Sequence, residues 1–128
     1  MARWGRGVVA ALVAAAVALA VAPVGGAKDG DIRVRGTCTK ASTSKLKLSE
    51  EDGGIEVEFE VDQNRNGVRW NVTLTQNGTR VARMQRVTRG PSGSFEARVV
   101  RPNTGSADRF AARATSPSGE VCTARATF

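Results

Sequence analysis

Two cysteines, Cys38 and Cys122, flank a stretch of chain in which apolar and polar residues alternate. Alternation with a period of two is typical of half-buried β-strands, because successive side chains of a strand point to opposite faces. Two cysteines permit only one intramolecular pairing, so an oxidised chain joins Cys38 to Cys122. We therefore expect an all-β domain whose first and last strands are connected by a disulfide bond.

The first 27 residues have the parts of a secretory signal peptide. Arg3 and Arg6 supply a basic start, and residues 8–22 form an uncharged apolar run. The small residues at 25–27 are suited to a cleavage site. A permanent membrane span needs about 20 apolar residues, so we expect a cleaved signal and no membrane span after it. Residues 28–128 would then be one secreted, extracellular domain, free or associated with the cell envelope.

Secretion favours a disulfide between the two cysteines, because disulfide bonds persist in the oxidising environment outside the cell. On the chain-entropy model, closing so long a loop stabilises a fold by about 4 to 5 kcal/mol. The domain that remains after cleavage is also long enough to bury a single core, and too short for two. We predict one disulfide-bonded domain at residues 28–128.

Turn signals divide that domain into about eight short strands, near residues 32–38, 45–48, 55–62, 68–75, 79–88, 95–99, 110–114 and 122–128. The clearest turn is Asn77-Gly78, because both residues tolerate the positive φ angles of a type I′ hairpin. Strands at this spacing are typical of a sandwich or barrel. We predict a single immunoglobulin-like antiparallel β-sandwich, although the chain has no tyrosine for the tyrosine corner of true immunoglobulin domains.

Charge is distributed unevenly along a chain whose formal net charge is +7. Residues 28–62 carry more acids than bases, whereas residues 63–128 carry eleven arginines and three acids. Such a surface attracts anionic envelope polymers by raising their local concentration. Nucleic acid is not expected as a partner, because Trp70 and the phenylalanines fall on apolar strand faces and leave no stacking platform for bases. We favour the alternative of an ordinary solvated surface, because every base after Lys47 is an arginine, which is typical of a compositional bias.

Three glutamates share one face of the strand predicted at 55–62: Glu56, Glu58 and Glu60. Carboxylates two residues apart on a strand lie about 7 Å from each other, a separation compatible with an inverting glycosidase. Lys45, Lys47 and Arg69 lie across the neighbouring turns and can form a ladder of cross-strand ion pairs instead. We favour the ladder. The chain has no histidine, so we predict no catalytic residue, no enzymatic activity and no cofactor.

A possible calcium loop begins at Asp62, with Asn64 and Asn66 at the alternating positions that supply oxygen ligands. The twelfth position of such a loop is a bidentate glutamate, but here it is Thr73. We interpret the segment as an Asn-rich turn between strands, and we predict no metal. Should calcium bind, the three ligands would be Asp62, Asn64 and Asn66.

Several segments together, at residues 55–62, 77–78, 91–95 and 119–122 and at Trp70, resemble uncharacterised small secreted proteins of actinobacteria. The resemblance covers nearly all of the domain that follows the signal. It implies a secreted all-β fold and transfers no catalytic residue.

These observations predict a small secreted non-enzymatic module that binds a ligand or has a structural role at or outside the cell envelope. Its partner would be an anionic polymer or another secreted protein. The alternative is a secreted proteinase inhibitor that presents an arginine to a trypsin-like enzyme. Two loops are candidates: Arg89 within residues 88–92, and Arg101 within residues 100–103.

Overall fold

The computed structural model describes residues 30–128, so the predicted signal peptide at residues 1–27 lies outside the described residues. The described residues form nine strands and no helix. The strands are β1 (Ile32–Arg35), β2 (Thr37–Cys38), β3 (Thr43–Glu51), β4 (Gly54–Asp62), β5 (Arg69–Gln76), β6 (Thr79–Val87), β7 (Ser94–Pro102), β8 (Arg109–Thr115) and β9 (Val121–Thr127). The predicted all-β class is confirmed. Residues 30–128 therefore also contain no helix long and apolar enough to cross a membrane.

The strands form two antiparallel sheets that enclose one core. The four-stranded sheet has the order β1-β3-β4-β7, and the five-stranded sheet has the order β2-β9-β8-β5-β6. Both sheets contribute fully buried side chains to the same apolar cluster, Phe59 from β4 and Trp70 from β5 among them. This arrangement confirms the predicted β-sandwich.

Trp70 illustrates how the alternation places side chains. It is completely buried. Val72 and Leu74 share its face of β5 and are buried as well. Its indole N–H donates to Gln63 Oε1 at 3.1 Å, and its ring packs against Phe95 with 5.8 Å between centroids. The assignment of Trp70 to the core is confirmed, because the buried indole has found both an apolar neighbour and a polar partner.

The local turn signals give the predicted hairpins. Asn77 and Gly78 have φ angles of 52° and 82°, which are the positive values that a type I′ turn requires, and they join β5 to β6. The turn at Asp52-Gly53 joins β3 to β4 in the same way, with positive φ at both residues. Each of these hairpins stays within one sheet.

The first predicted strand, at residues 32–38, is two strands in different sheets. β1 pairs with β3 in the four-stranded sheet, and β2 pairs with β9 in the five-stranded sheet. The chain changes sheets at Gly36, where a Cβ would lie 2.3 Å from Ser44 Oγ and 2.5 Å from the Thr123 carbonyl oxygen. Only glycine fits so close a passage, and the split gives nine strands rather than about eight.

The predicted disulfide between Cys38 and Cys122 is present. The two residues are directly opposite each other in the β2–β9 pair, with 4.0 Å between their α-carbons. The bond therefore joins neighbouring strands of one sheet and attaches the short strand β2 to the last strand of the chain.

Candidate functional site

The outer face of the four-stranded sheet carries the three predicted glutamates, and each of them forms an ion pair. Lys45 Nζ lies 3.5 Å from Glu60, and Lys47 Nζ lies 3.0 Å from Glu58. These pairs connect residues that face each other directly across β3 and β4. The ladder interpretation is confirmed for both lysines.

The third cation of this ladder is Arg98, and the prediction of Arg69 was wrong. Arg98 donates to Glu56 Oε2 at 2.6 Å from the neighbouring strand β7. Arg69 lies in β5, because the chain crosses to the five-stranded sheet after β4. The sequence suggested β5 as the second neighbour of β4 because β5 follows it along the chain, but that neighbour is β7.

The ion pairs separate the acidities of Glu56 and Glu58. The hydrogen bond from Arg98, followed by one with Glu58, lowers the pKa of Glu56 to about 2. Burial raises the pKa of Glu58, and the hydrogen bond with Glu56 raises it further. The hydrogen bond to Glu58 also raises the pKa of Lys47. All three glutamates are held by cations on an open sheet face, which favours a structural ladder over general acid–base chemistry.

The candidate calcium ligands lie at the connection between the two sheets. Asp62 ends β4, and Asn64 and Asn66 belong to the segment that leads to β5. Asp62 Oδ1 accepts a hydrogen bond from the Asn64 backbone N–H at 3.0 Å, which is the contact of an Asx turn. The Asn-rich turn is confirmed, and calcium binding stays a hypothesis.

Among residues 30–128, one group has the spacing of metal ligands: Cys38, Cys122 and Glu120. Both sulfur atoms are already in the disulfide. The buried Glu120 carboxylate accepts hydrogen bonds from the Lys40 N–H, the Ser42 N–H and the Ser42 hydroxyl, at 3.1, 3.0 and 2.6 Å. Its oxygens are thus used to hold the β2–β3 connection.

The two arginines proposed for an inhibitor loop have different positions. Arg101 lies in β7 opposite Ile55, and its Nε donates to Gln76 Oε1 of the other sheet at 3.1 Å. The prediction that Arg101 lies in an exposed loop was wrong, because β7 continues to Pro102.

Arg89 does lie in an exposed loop. Its N–H donates to the Ser94 carbonyl at 2.9 Å, and its own carbonyl accepts from Gly93 and Ser94. Both of its main-chain groups are therefore bonded within the chain and are not free to pair with a proteinase.

A different surface has the strongest unbalanced charge. The outer face of the five-stranded sheet carries six arginines from four strands: Arg69, Arg80, Arg83, Arg109, Arg113 and Arg125. Six threonines stand between or beside them: Thr37, Thr73, Thr75, Thr115, Thr123 and Thr127. We call this surface the arginine face. None of its strands contributes an acidic side chain to it.

The arginine face differs from the opposite face in how its charges are compensated. On the four-stranded sheet, six outward acids stand beside five outward bases. On the arginine face, no ion pair or side-chain hydrogen bond connects any of the six guanidinium groups to another described residue. All six arginines are exposed. Their charges are therefore presented to solvent without a counter-charge.

Two shallow depressions lie on this face, with volumes of about 500 and 390 Å³. They share Thr75, Ala111 and Arg125, so they adjoin each other across β5, β8 and β9, and we call the two together the groove. Arg109 lines one part of the groove and Arg113 lines the other. The small side chains of Thr75 and Ala111 leave room between the guanidinium groups.

Local sequence patterns do not reveal this surface, although arginine is in excess over residues 63–128. The missing information is the strand order, which places β9, β8, β5 and β6 side by side. A local signal was present: each of Arg69, Arg109, Arg113 and Arg125 lies on the polar phase of its strand. To predict that these arginines share one surface, one would need to know that β5 pairs with β8, a strand distant in sequence.

Comparison with known proteins assigns no family to the chain. No protein-family model, no curated protein and no solved structure matches it. The resemblance to secreted actinobacterial proteins stays a prediction, and the geometry of the arginine face is the observation that bears on function.

Proposed function

We propose that this protein is a small secreted, non-enzymatic β-sandwich module that binds anionic polymers at or outside the cell envelope through its arginine face. One observation carries the proposal: among residues 30–128, six exposed arginines on one sheet face have no acidic partner, while Glu56, Glu58 and Glu60 of the opposite face are each paired with a cation.

The physical basis is a sheet face with a single sign of charge. Uncompensated charge of one sign concentrates the opposite charge near the surface and speeds association. Guanidinium groups offer planar pairs of N–H donors, which match phosphate and carboxylate oxygens. The threonine hydroxyls between them add neutral donors to the same surface.

The disulfide between Cys38 and Cys122 is compatible with a location outside the cell. Support for an immunoglobulin-like layout comes from the order β9-β8-β5, which corresponds to adjacent G, F and C strands in that architecture. The non-enzymatic assignment is supported by the absence of histidine and by the ion pairs that occupy the three glutamates. Nothing at Arg89 or Arg101 favours the inhibitor alternative.

The test is binding of oxidised residues 28–128 to long-chain inorganic polyphosphate at several salt concentrations. Polyphosphate binding should weaken linearly in a plot of log affinity against log salt, because counterions are released on binding. Arg109→Ala, Arg113→Ala and Arg125→Ala combined should weaken binding about tenfold or more, since three cationic contacts are lost.

The matched control removes three positive charges from the other sheet, through Arg33→Ala, Arg35→Ala and Lys45→Ala combined. This variant has the same net charge as the first and should bind within about twofold of the unsubstituted protein. Equal weakening in both variants would show that only net charge matters. That result, or no binding by the unsubstituted protein, would disprove the proposal.

A further inference from the structure

The groove on the arginine face has a defined arrangement of cations. Ala111 of β8 pairs with Thr75 of β5 on one side and with Arg125 of β9 on the other. Arg109 and Arg113 lie two residues before and after Ala111 on the same strand and point outward with it. Ala111 is thus the floor of a site with an arginine on three sides.

The register fixes the spacing of those arginines. Diagonal neighbours on adjacent antiparallel strands lie about 7 to 8 Å apart, and Arg109 and Arg113 are the two diagonal neighbours of Arg125 on β8. Arg109 and Arg113 are separated by about 13 Å along β8. The three guanidinium groups therefore follow a zigzag across the groove, and a chain with repeated negative groups can contact them in turn.

The chemistry of the groove distinguishes between classes of polyanion. Arginine binds tetrahedral phosphate through paired N–H donors, and the threonine hydroxyl of Thr75 can donate to the same oxygens. The two depressions are lined by one aromatic residue, Phe110, which is 2% exposed. A surface without exposed aromatic rings offers no platform for stacked bases, so it favours a polymer that has no bases.

We propose that the groove over Ala111, between Arg109, Arg113 and Arg125, is a binding site for a base-free phosphate polymer. This inference depends on the proposed function, because it assigns the ligand class and the contact residues to the same face. The occupant is a flexible chain outside the cell whose negative charge is carried by phosphate groups.

The first test separates phosphate recognition from charge alone. Arg109→Lys, Arg113→Lys and Arg125→Lys combined retain the charge but remove the paired donors. We expect this variant to lose about tenfold in affinity for inorganic polyphosphate, and we expect the unsubstituted protein to bind polyphosphate more tightly than poly-L-glutamate at equal charge concentration and equal salt. Equal affinity of the lysine variant and the unsubstituted protein for polyphosphate would overturn the inference while leaving the proposed function intact.

The second test fills the groove without changing the charge. Ala111→Trp places a large side chain between the three arginines and should weaken polyphosphate binding about tenfold. Val100→Trp places the same side chain at an exposed position of β7 in the other sheet, and it is the matched control. Melting curves of both variants show whether the fold persists. Equal binding by the two folded variants would overturn the inference.

Single-stranded DNA provides the third comparison. It has phosphates and bases, so it should bind to the unsubstituted protein more weakly than polyphosphate at equal phosphate concentration and equal salt. Tighter binding of DNA would overturn the choice of a base-free polymer. If neither polymer binds to the unsubstituted protein at low salt, the proposed function itself fails. The lysine and tryptophan variants test only the groove.

Discussion

Two buried carboxylates explain at the level of single residues why the arginine face has no acid. Residues 63–128 contain three acids, and Glu96 lies on the four-stranded sheet. Asp108 is fully buried and accepts hydrogen bonds from Thr104, Gln76 and Asn77. The backbone N–H of Thr104 is the largest cause of its lowered pKa. Asp108 and Glu120 are turned inward to hold loops, so neither reaches the arginines.

Glu120 gives a prediction at this scale. Its carboxylate accepts from three donors of residues 40–42, and Glu120→Gln replaces one acceptor oxygen by an N–H₂ group that faces those donors. We expect the free energy of unfolding to fall by about 1 to 3 kcal/mol, measured by urea denaturation. Glu96→Gln, at an exposed position of β7, should change it by less than about 0.5 kcal/mol. Equal effects of the two substitutions would contradict this account of Glu120.

At the level of elements, the sequence predicted what depends on neighbours along the chain. The alternation gave the faces of β4 and β5, and Asn77-Gly78 gave the hairpin between β5 and β6, because both signals are local. Residue pairs between distant strands were not predictable in this way. The contact of Glu56 with Arg98 and the groove over Ala111 both depend on strand order, which no local pattern specifies.

Gly36 shows the same limit and gives a second prediction. Residues 32–38 alternate as one strand, but β1 and β2 find partners in different sheets, and the chain passes close to Ser44 and Thr123 between them. Gly36→Ala would place a Cβ against the Thr123 backbone carbonyl, which cannot move without disturbing β9. We expect a loss of about 1 to 3 kcal/mol in the free energy of unfolding.

Gly90→Ala is the control for this substitution. The nearest atom to a Cβ at Gly90 is the side-chain nitrogen of Asn66, at 3.2 Å, and Asn66 is exposed and free to shift. The control should therefore be tolerated much better in the same urea denaturation experiment. If Gly36→Ala unfolds at the same urea concentration as the unsubstituted protein, the close passage between the sheets is not a constraint on stability.

At the level of the whole molecule, the two faces of the sandwich have different electrostatic roles. The four-stranded sheet uses its cations to balance its own acids, whereas the five-stranded sheet leaves six arginines uncompensated. The sequence predicted an uneven charge along the chain, but not its division between faces, since β7 takes part of the arginine-rich half to the four-stranded sheet. Acid should therefore affect one face selectively, because the arginines do not titrate.

The ion-pair ladder predicts how stability depends on pH. The pKa of Glu56 is about 2 in the folded protein, below its ordinary value of 4.5, so its stabilising effect is complete above pH 4.5 and is lost as the pH falls towards 2. The raised pKa of Glu58 has the opposite consequence. Its stabilising effect is complete below pH 4.5 and is lost as the pH rises above that value.

Below pH 4.5 the effect of Glu56 should therefore outweigh that of Glu58. We expect the free energy of unfolding to fall between pH 4.5 and 2, with Glu56 contributing at most about 2 kcal/mol because solvent around the half-exposed Arg98 screens the pair. Glu56→Gln should flatten this fall, since glutamine has no proton to bind. Asp52→Asn, at the exposed turn of the same hairpin, should keep the slope of the unsubstituted protein. Urea denaturation at pH 5, 4, 3 and 2.5 measures the difference, and parallel slopes for all three proteins would show that the Glu56–Arg98 pair does not stabilise the sandwich.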